Sequence, residues 1–317
     1  MKKLSHKSTV TTLAGGVGAA KFIRGLIQRI PAQRLTVIVN TGDDEYFYGL
    51  HVSPDLDTIT YTLAGVVNTA NGWGRAHETF HALEALGQFY GKPWFNLGDR
   101  DLATHLYRTE RLRSSASMAQ VTAEIAQRLG VKARVLPMSN EPVRTHVKLK
   151  GQPPMPFQEY FVKRRARGAV EAIELRGIED AEPAEGVMAA ITAADAVILA
   201  PSNPFVSLGP ILQLRGIREA LKSVRERVAA ISPIVGGKTV KGPADAMLRG
   251  LGHEVSPLGV ARLYHDFTGI FVLDQIDRRY AASIEQLGLT AVATDTIMAT
   301  PAKAARLAGV VLEAIGV

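Results

Sequence analysis

The alternation of short apolar runs with helical segments constrains the fold of this chain more than any other feature of its sequence. Each run has the length of a buried strand, and most are followed by a segment whose apolar residues recur at helical spacing. Strands that alternate with helices predict a doubly wound α/β fold with a mainly parallel, Rossmann-like sheet. The predicted strands span residues 8–14, 35–40, 132–138, 195–200, 227–232, 269–274 and 289–294.

Two segments depart from this alternation inside what we predict to be a single α/β domain over residues 1–317. Residues 70–130 have mostly helical spacing and predict a helical insertion. Residues 143–178 contain VRTHVKLK, FQEYFVKRR and AVEAIEL, three segments that we expect to be extended. They predict a small antiparallel β subdomain.

Composition and charge narrow the possible partners. The chain has no cysteine, which excludes disulfides and thiolate metal sites and fits a reducing compartment. Its net charge of +7 suits anionic ligands, but acids and bases are interspersed and aromatic residues make up only 6%. Neither a signal peptide nor a long apolar span is apparent. We expect a cytoplasmic protein that binds phosphorylated small molecules, not nucleic acid or membrane.

The loop LAGGVGAAKF, residues 13–22, lies between the first predicted strand and a predicted helix. A helix N-terminus after a glycine-rich loop favours an anion such as phosphate. The dinucleotide-binding pattern G-x-G-x-x-G would begin at Gly16 and Gly18, but Lys21 occupies its last position. The second strand ends in Asn40, where an NAD-binding protein usually has an acid. A nicotinamide oxidoreductase is therefore disfavoured.

Two further loops follow strands in the second half of the chain. SPIVGGKT approaches the phosphate-binding pattern G-x-x-x-x-G-K-[ST], but Ser232 stands at its first position. Gly236 and Gly237 could still approach a phosphate. The other loop, in LAPSNPFVSLGPIL, offers amide and hydroxyl groups to a base or ribose, or forms an ordinary turn. Its candidate residues are Ser202, Asn203 and Pro204.

The segment HETFH, residues 77–81, matches the zinc pattern H-E-x-x-H, in which His77 and His81 would share one helical face with Glu78 as base. No second zinc-protease signature follows it. We interpret the segment as a helix whose histidines serve packing or substrate contacts.

Four carboxylates crowd two short loops after the second strand: Asp43, Asp44, Asp55 and Asp57. Such groups repel one another unless a proton or a hard cation lies between them, and Mg²⁺ bound to substrate phosphates meets that need. Alternatively, Asp57 or Thr58 caps the following helix, and the other acids face water. Farther on, LGDRDLATH places Arg100 between two aspartates, either as a positioned cation or within surface ion pairs at a helix start.

Taken in order, these segments resemble the 2-phospho-L-lactate transferase family of coenzyme F420 biosynthesis. The resemblance rests on LAGGVGAAKF, VNTGDDEYFYGLHVSPDLDT, GWGRAHETF, LGDRDLATH, LAPSNPFVSLGPIL and SPIVGGKTVKGPA. It implies a three-layer α/β/α fold, usually a homodimer, and Mg²⁺-dependent transfer of a phospho-acyl group from a guanosine diphosphate adduct to the ribityl hydroxyl of the deazaflavin Fo. GMP would be released. The acyl group, derived from phosphoenolpyruvate, phospholactate or phosphoglycerate, is left open.

The resemblance also implies roles for individual residues. Asp55 and Asp57 match aspartates at the metal and the Fo hydroxyl, with Asp44 joining Asp55 at the metal, and Arg100 matches an arginine on the Fo side. Which acid orients or deprotonates the hydroxyl is left open. The substrate-binding residues are predicted to be Gly15, Gly16, Gly18 and Lys21 at the phosphates, Asn40 and Thr41 after the second strand, and Ser202, Asn203, Pro204, Gly236 and Gly237 around the guanosine diphosphate.

A second resemblance is to the gluconeogenesis-factor family, whose members share the glycine loop and look like nucleotide-sugar-binding regulators. PDLDT, LGDRDLATH and GWG favour the transferase family, because a regulator would need neither a metal site nor an acceptor pocket.

Overall fold

The computed structural model describes residues 8–317. The described strands are β1 (Val10–Ala14), β2 (Leu35–Val39), β3 (Glu45–Phe47), β4 (Leu50–Val52), β5 (Arg134–Pro137), β6 (Arg144–Leu149), β7 (Met155–Pro156), β8 (Val170–Arg176), β9 (Ala196–Leu199), β10 (Val228–Ile231), β11 (Ile234–Val235), β12 (Lys238–Thr239), β13 (Ile270–Asp274) and β14 (Thr290–Thr294). The described α-helices are α1 (Gly16–Leu26), α2 (Pro54–Leu63), α3 (His81–Tyr90), α4 (Asp99–Arg113), α5 (Met118–Arg128), α6 (Val187–Ala193), α7 (Gly209–Gln213), α8 (Ile217–Ser223), α9 (Ala244–Gly250), α10 (Pro257–Tyr264), α11 (Ala281–Glu285) and α12 (Pro301–Ile315).

A seven-stranded sheet forms the middle layer, with the order β14-β13-β10-β9-β1-β2-β5. Every neighbouring pair in it is parallel. The strand order reverses direction between β1 and β9, and at such a point α/β sheets bind ligands beyond the carboxyl ends of their strands. All seven predicted strands belong to this sheet.

Hydrophobic cores on the two faces of the sheet make the fold three-layered. In β1, Leu13 packs into one core and Val10 into the other, because successive side chains of a strand point to opposite faces. Helices α1 and α12 pack together over the second core. These observations confirm the predicted α/β/α, doubly wound, mainly parallel fold.

The smaller predicted elements are present with two differences. Strands β7, β6 and β8 form the expected antiparallel sheet, but residues 159–163 between them form a π-helical turn where we expected an extended segment. Tyr160 is fully buried in that turn, so packing decides its conformation. Helix α2 begins at Pro54, so Asp57 and Thr58 lie inside the helix and the expectation that one of them caps it is wrong.

Helices α3, α4 and α5 occupy the segment predicted as a helical insertion, and α5 packs against β5. The domain boundaries stay a prediction. Between residues 8 and 317, no helix is both long and apolar enough to cross a membrane. The absence of a signal peptide was predicted partly from residues 1–7, which lie outside the described residues.

Candidate active site

A cavity of about 560 Å³ lies at the carboxyl ends of the parallel strands. The loops that follow β1, β2, β9, β10 and β14 all contribute to its wall. Of the residues predicted for the site, it is lined by Gly15, Gly16, Gly18, Lys21, Asp55, Asp57, Ser202 and Asn203. The remaining predicted residues do not line it: Asn40, Thr41, Asp44, Arg100, Pro204, Gly236 and Gly237.

The glycines of the loop after β1 are required by their protein surroundings. Gly16 has φ +74°, a conformation that residues with a side chain rarely adopt. A Cβ atom on Gly18 would lie 2.4 Å from the Pro201 carbonyl oxygen, and one on Gly15 would lie 2.6 Å from Asp55 Oδ2. Phosphate binding therefore does not fully explain why these positions are glycine. The loop also packs closely against Asp55 and against the loop that follows β9.

Asp55 joins this glycine loop to the acidic part of the cavity. Its Oδ1 accepts a hydrogen bond from the Gly16 amide at 2.7 Å, and its Oδ2 accepts one from Asn40 Nδ2 at 2.9 Å. Asn40 Nδ2 also lies 2.5 Å from Asp43 Oδ1. Asn40 is fully buried, so it positions both carboxylates from behind the cavity wall.

Burial destabilises the ionised forms of Asp43 and Asp55, so these carboxylates favour a bound proton or cation. It raises the pKa of Asp55 to about 6, although hydrogen bonds from Asn40 and Gly16 oppose the shift. It also raises the pKa of Asp43 well above its ordinary value, and the charges of Asp55 and Asp44 add to that rise. The structure thus places Asp43 and Asp55 together at the cavity wall.

Asp44, predicted as a metal ligand, lies behind the wall. Its Oδ2 accepts a hydrogen bond from Ser53 Oγ at 2.8 Å, and its buried Oδ1 has no hydrogen-bond partner among the described residues. Burial raises the pKa of Asp44 to about 8. Closely spaced oxygen donors with an unpaired oxygen among them fit a hard cation such as Mg²⁺. The sequence analysis counted Asp43 among the four crowded carboxylates but assigned Asp44 to the metal, whereas of these two neighbours Asp43 is the one that lines the cavity.

A second polar cluster comes from α2 and α4. Arg108 donates through Nη1 to Asp57 Oδ2 at 3.1 Å, and its Nη2 also bonds to Asp57. His105 lies with Nε2 3.5 Å from Asp101 Oδ1 and with Nδ1 3.2 Å from Arg108 Nη1. Tyr61 donates to Asp101 Oδ1 at 2.6 Å. Asp57, Asp101, His105 and Tyr61 all line the cavity.

Asp57, Asp101 and His105 each offer a ligand atom within 4.8 Å of the others. However, the buried Arg108 guanidinium already supplies a positive charge to Asp57, which opposes a metal ion there. The cluster suits a hydroxyl group that can both donate and accept. Sequence reasoning missed Arg108, although the spacing of Asp101, His105 and Arg108 along α4 is that of one helical face.

Arg100, predicted to contact the acceptor, is exposed outside the cavity. Its Nη1 lies 3.5 Å from the Ala76 carbonyl oxygen. Its predicted role stays a prediction that this position does not support.

HETFH is not helical, because α3 begins at its last residue, His81, and His77 has φ +54°. The helical interpretation and the zinc geometry are therefore both wrong. Glu78 instead accepts hydrogen bonds from the amides of Arg100 at 2.6 Å and Asp101 at 3.1 Å. It caps the N-terminus of α4.

The loops of the second half shape the opposite wall. The Ser202 hydroxyl donates to the Gly15 carbonyl oxygen at 2.8 Å, and Asn203 Oδ1 accepts from the Phe205 amide at 2.9 Å. The Gly236 amide donates to Asp277 at 2.8 Å, and both Gly236 and Gly237 have positive φ. These glycines turn the β11–β12 hairpin, whose neighbouring residues line the cavity. Aromatic side chains complete the lining, namely Trp73, Phe95, Phe157 and Phe161.

Comparison with known proteins gives matches over nearly the whole chain. The model of the family described as 2-phospho-L-lactate transferase CofD matches residues 10–310. A phosphoenolpyruvate transferase of Kitasatospora aureofaciens is 42% identical over 295 residues, covering 91% of this chain and 92% of the relative. A 2-phospho-L-lactate transferase of Methanosarcina mazei is 37% identical over 301 residues, covering 95% and 98%.

Among solved structures, a member of the UPF0052 family from Bacillus halodurans superposes with a TM-score of 0.64 at 18% identity. The match covers 96% of this chain and 99% of that chain. At this identity the likeness concerns the fold alone, and it agrees with the α/β architecture described above.

Proposed function

The chain belongs to the 2-phospho-L-lactate transferase CofD family, and from this premise we propose that it transfers a phosphoenolpyruvyl or 2-phospholactyl group in coenzyme F420 biosynthesis. Its donor is a guanosine diphosphate adduct, and its acceptor is the ribityl hydroxyl of Fo. A 3-phosphoglyceryl group is a third possible cargo. The hydroxyl oxygen attacks the phosphorus that carries the acyl group, the bond to the GMP oxygen breaks, and GMP leaves.

One observation carries this proposal: a single cavity wall contains a glycine loop, a carboxylate pair and, between them, the hydrogen bond from Gly16 to Asp55. A loop before a helix N-terminus binds phosphate, and its Lys21 adds a positive charge. Asp43 and Asp55, with Asp44 behind them, would hold Mg²⁺. When bound, the ion would neutralise charge on the transferred phosphate.

The second cluster supports the acceptor end of the reaction. His105 and Asp101 present a nitrogen and a carboxylate to the cavity, and Arg108 fixes Asp57 beside them. We assign to this cluster the orientation of the Fo hydroxyl and the reception of its proton. The aromatic side chains of the wall offer flat surfaces for the deazaflavin ring.

The test is incubation of the protein with Fo, Mg²⁺ and each of the three guanylyl donors, with products identified by mass spectrometry. We expect GMP and one phospho-acyl product of Fo. Asp55→Asn should fold normally and lose most of this activity, because it removes charge from the carboxylate pair. Binding of nucleotides or nucleotide sugars without transfer from any donor would instead identify a regulator of the gluconeogenesis-factor type.

A homodimer, which rests on the family resemblance, and a cytoplasmic location, which rests on the absence of cysteine, are further proposals. Helix α3 supports the first, because it leaves Phe89 81% and Tyr90 65% exposed. Light scattering of the purified protein at several concentrations tests it.

A further inference from the structure

Two lysines supply positive charge to the wall of the cavity. Among the described residues that line the cavity, Lys21 and Lys241 carry the only lysine or arginine charges, whereas Asp43, Asp55, Asp57 and Asp101 supply its carboxylates. The charge distribution is therefore polarised, with the acids on the loops after β2 and on α2 and α4, and the lysines on α1 and beyond β12.

A chain of contacts brings the two lysines toward each other although they come from separate walls. Lys241 Nζ donates to the Asn71 carbonyl oxygen at 2.8 Å. The next residue, Gly72, packs against Val17, since a Cβ atom on Gly72 would lie 2.5 Å from Val17 Cγ1. Val17 and Lys21 are four residues apart on α1 and thus share a helical face.

Neither lysine has a carboxylate within salt-bridge distance in the described part of the chain. Partial burial and the charge of Lys21 lower the pKa of Lys241, which is the expected result when two cations face a common space. A carbonyl oxygen is a weak substitute for an anion at such a place. An anion between the lysines would relieve their repulsion and gain two charge-assisted hydrogen bonds.

We infer that Lys21 and Lys241 form a two-walled subsite for phosphate oxygens, and that Lys241 exchanges the Asn71 carbonyl for the phosphate when the ligand binds. Assigning that phosphate to the guanylyl donor rests on the proposed function; the subsite itself rests only on the contacts above. Its place beside the glycine loop points to the phosphate that leaves with the nucleotide, where Lys241 acts as a binding and positioning residue.

The exchange has a consequence for the segment that carries Trp73. Asn71 lies two residues before Trp73, which lines the cavity and is 40% exposed. When Lys241 releases Asn71, the segment loses a tether to the β11–β12 side of the cavity. Phosphate binding is thereby coupled to the surroundings of Trp73, one of the aromatic side chains that we propose to face the deazaflavin ring.

The experiment measures binding of inorganic pyrophosphate by calorimetry to the full chain and to three variants. Lys241→Met and Lys21→Met should each weaken binding about tenfold, the loss expected for one hydrogen bond to a charged group. Lys238→Met is the matched control, because Lys238 is exposed on the same hairpin but does not line the cavity. It should bind pyrophosphate as the wild type does, and circular dichroism should show all variants folded.

A second readout tests the exchange. The chain has two tryptophans, so Trp94→Phe leaves Trp73 as the sole emitter. Pyrophosphate should shift Trp73 emission in that background, and adding Lys241→Met should alter the emission of the free protein and abolish the shift. Unchanged pyrophosphate affinity in Lys241→Met, or equal losses in Lys238→Met, would overturn the subsite. If Lys241→Met loses affinity for pyrophosphate while the wild-type protein yields no product in the transfer assay, the subsite is supported and the proposed transferase function is refuted.

Discussion

At the scale of single residues, different physical constraints require glycine at different positions of the loop after β1. Gly16 needs its positive φ, whereas Gly18 needs the space that a Cβ atom would take from the Pro201 carbonyl. Neither reason involves a ligand directly. Substitutions here therefore change the packing that forms the cavity before they change the binding of phosphate.

We predict that Gly18→Ala lowers the free energy of unfolding by about 1–3 kcal/mol, as overpacking in a closed site usually does. Gly87→Ala is the control, because Gly87 lies within α3 at negative φ and its added methyl would have its nearest contact at an ordinary 3.6 Å. Urea unfolding should show the loss for Gly18→Ala only. Equal stability of the two variants would contradict the packing argument.

At the scale of elements, α3 and α4 cap each other. Glu78, three residues before α3, accepts from the first amides of α4, and Asp99 at the start of α4 accepts from the amides of His81 at 3.1 Å and Ala82 at 2.9 Å. Carboxylates at helix N-termini accept hydrogen bonds from free N–H groups and interact favourably with the positive end of the helix dipole. These reciprocal caps hold in place α4, the helix on which Asp101, His105 and Arg108 lie.

Two substitutions distinguish this cap from a zinc site. Glu78→Ala should lower the free energy of unfolding by about 0.5–2 kcal/mol, the usual effect of losing a cap. His81→Ala should leave stability unchanged, because only the backbone amide of His81 bonds to Asp99. Elemental analysis should find no stoichiometric zinc in the wild type. One zinc per chain that His81→Ala removes would instead restore the zinc interpretation.

At the scale of the whole molecule, buried carboxylates make stability depend on pH and on metal. Burial raises the pKa of Asp44 from 3.8 to about 8, so the folded state binds a proton that the unfolded state has released. Stability then falls as pH rises toward 8. Burial and the charges of Arg108 and Arg144 lower the pKa of His51 to about 3, so His51 costs stability only below its ordinary 6.5. Above pH 6.5 His51 no longer contributes to the slope, and the raised pKa of Asp44 makes it negative.

We predict that the melting temperature of the metal-free protein falls between pH 6.5 and 8, the ordinary pKa of His51 and the raised pKa of Asp44. Asp44→Asn should flatten this slope, because the amide does not titrate. Mg²⁺ should raise the melting temperature more at pH 8 than at pH 6.5, since it binds the ionised carboxylates. Differential scanning fluorimetry across this range checks each point. A melting temperature that rises with pH in the wild type would refute the raised pKa of Asp44.

The sequence by itself determined the elements of the central sheet, because strand and helix periods are local properties of the chain. It also placed the glycine loop and the acids at strand ends, and parallel strands carry their carboxyl ends to one edge. Eight of the predicted substrate and catalytic residues line the cavity, and Lys21, Asp55 and Asp57 do so from the helices α1 and α2. The ordered set of short segments further sufficed to find the family.

Tertiary structure alone decided which side chains of neighbouring residues face the cavity and which distant residues meet. Asp43 faces the cavity and Asp44 lies behind it, a difference of one position that no period predicts. Arg108 meets Asp57 across 51 residues, and the π-helical turn at 159–163 forms because Tyr160 is buried. These outcomes depend on which surfaces meet when distant segments pack, and that information is absent from any local stretch of the chain.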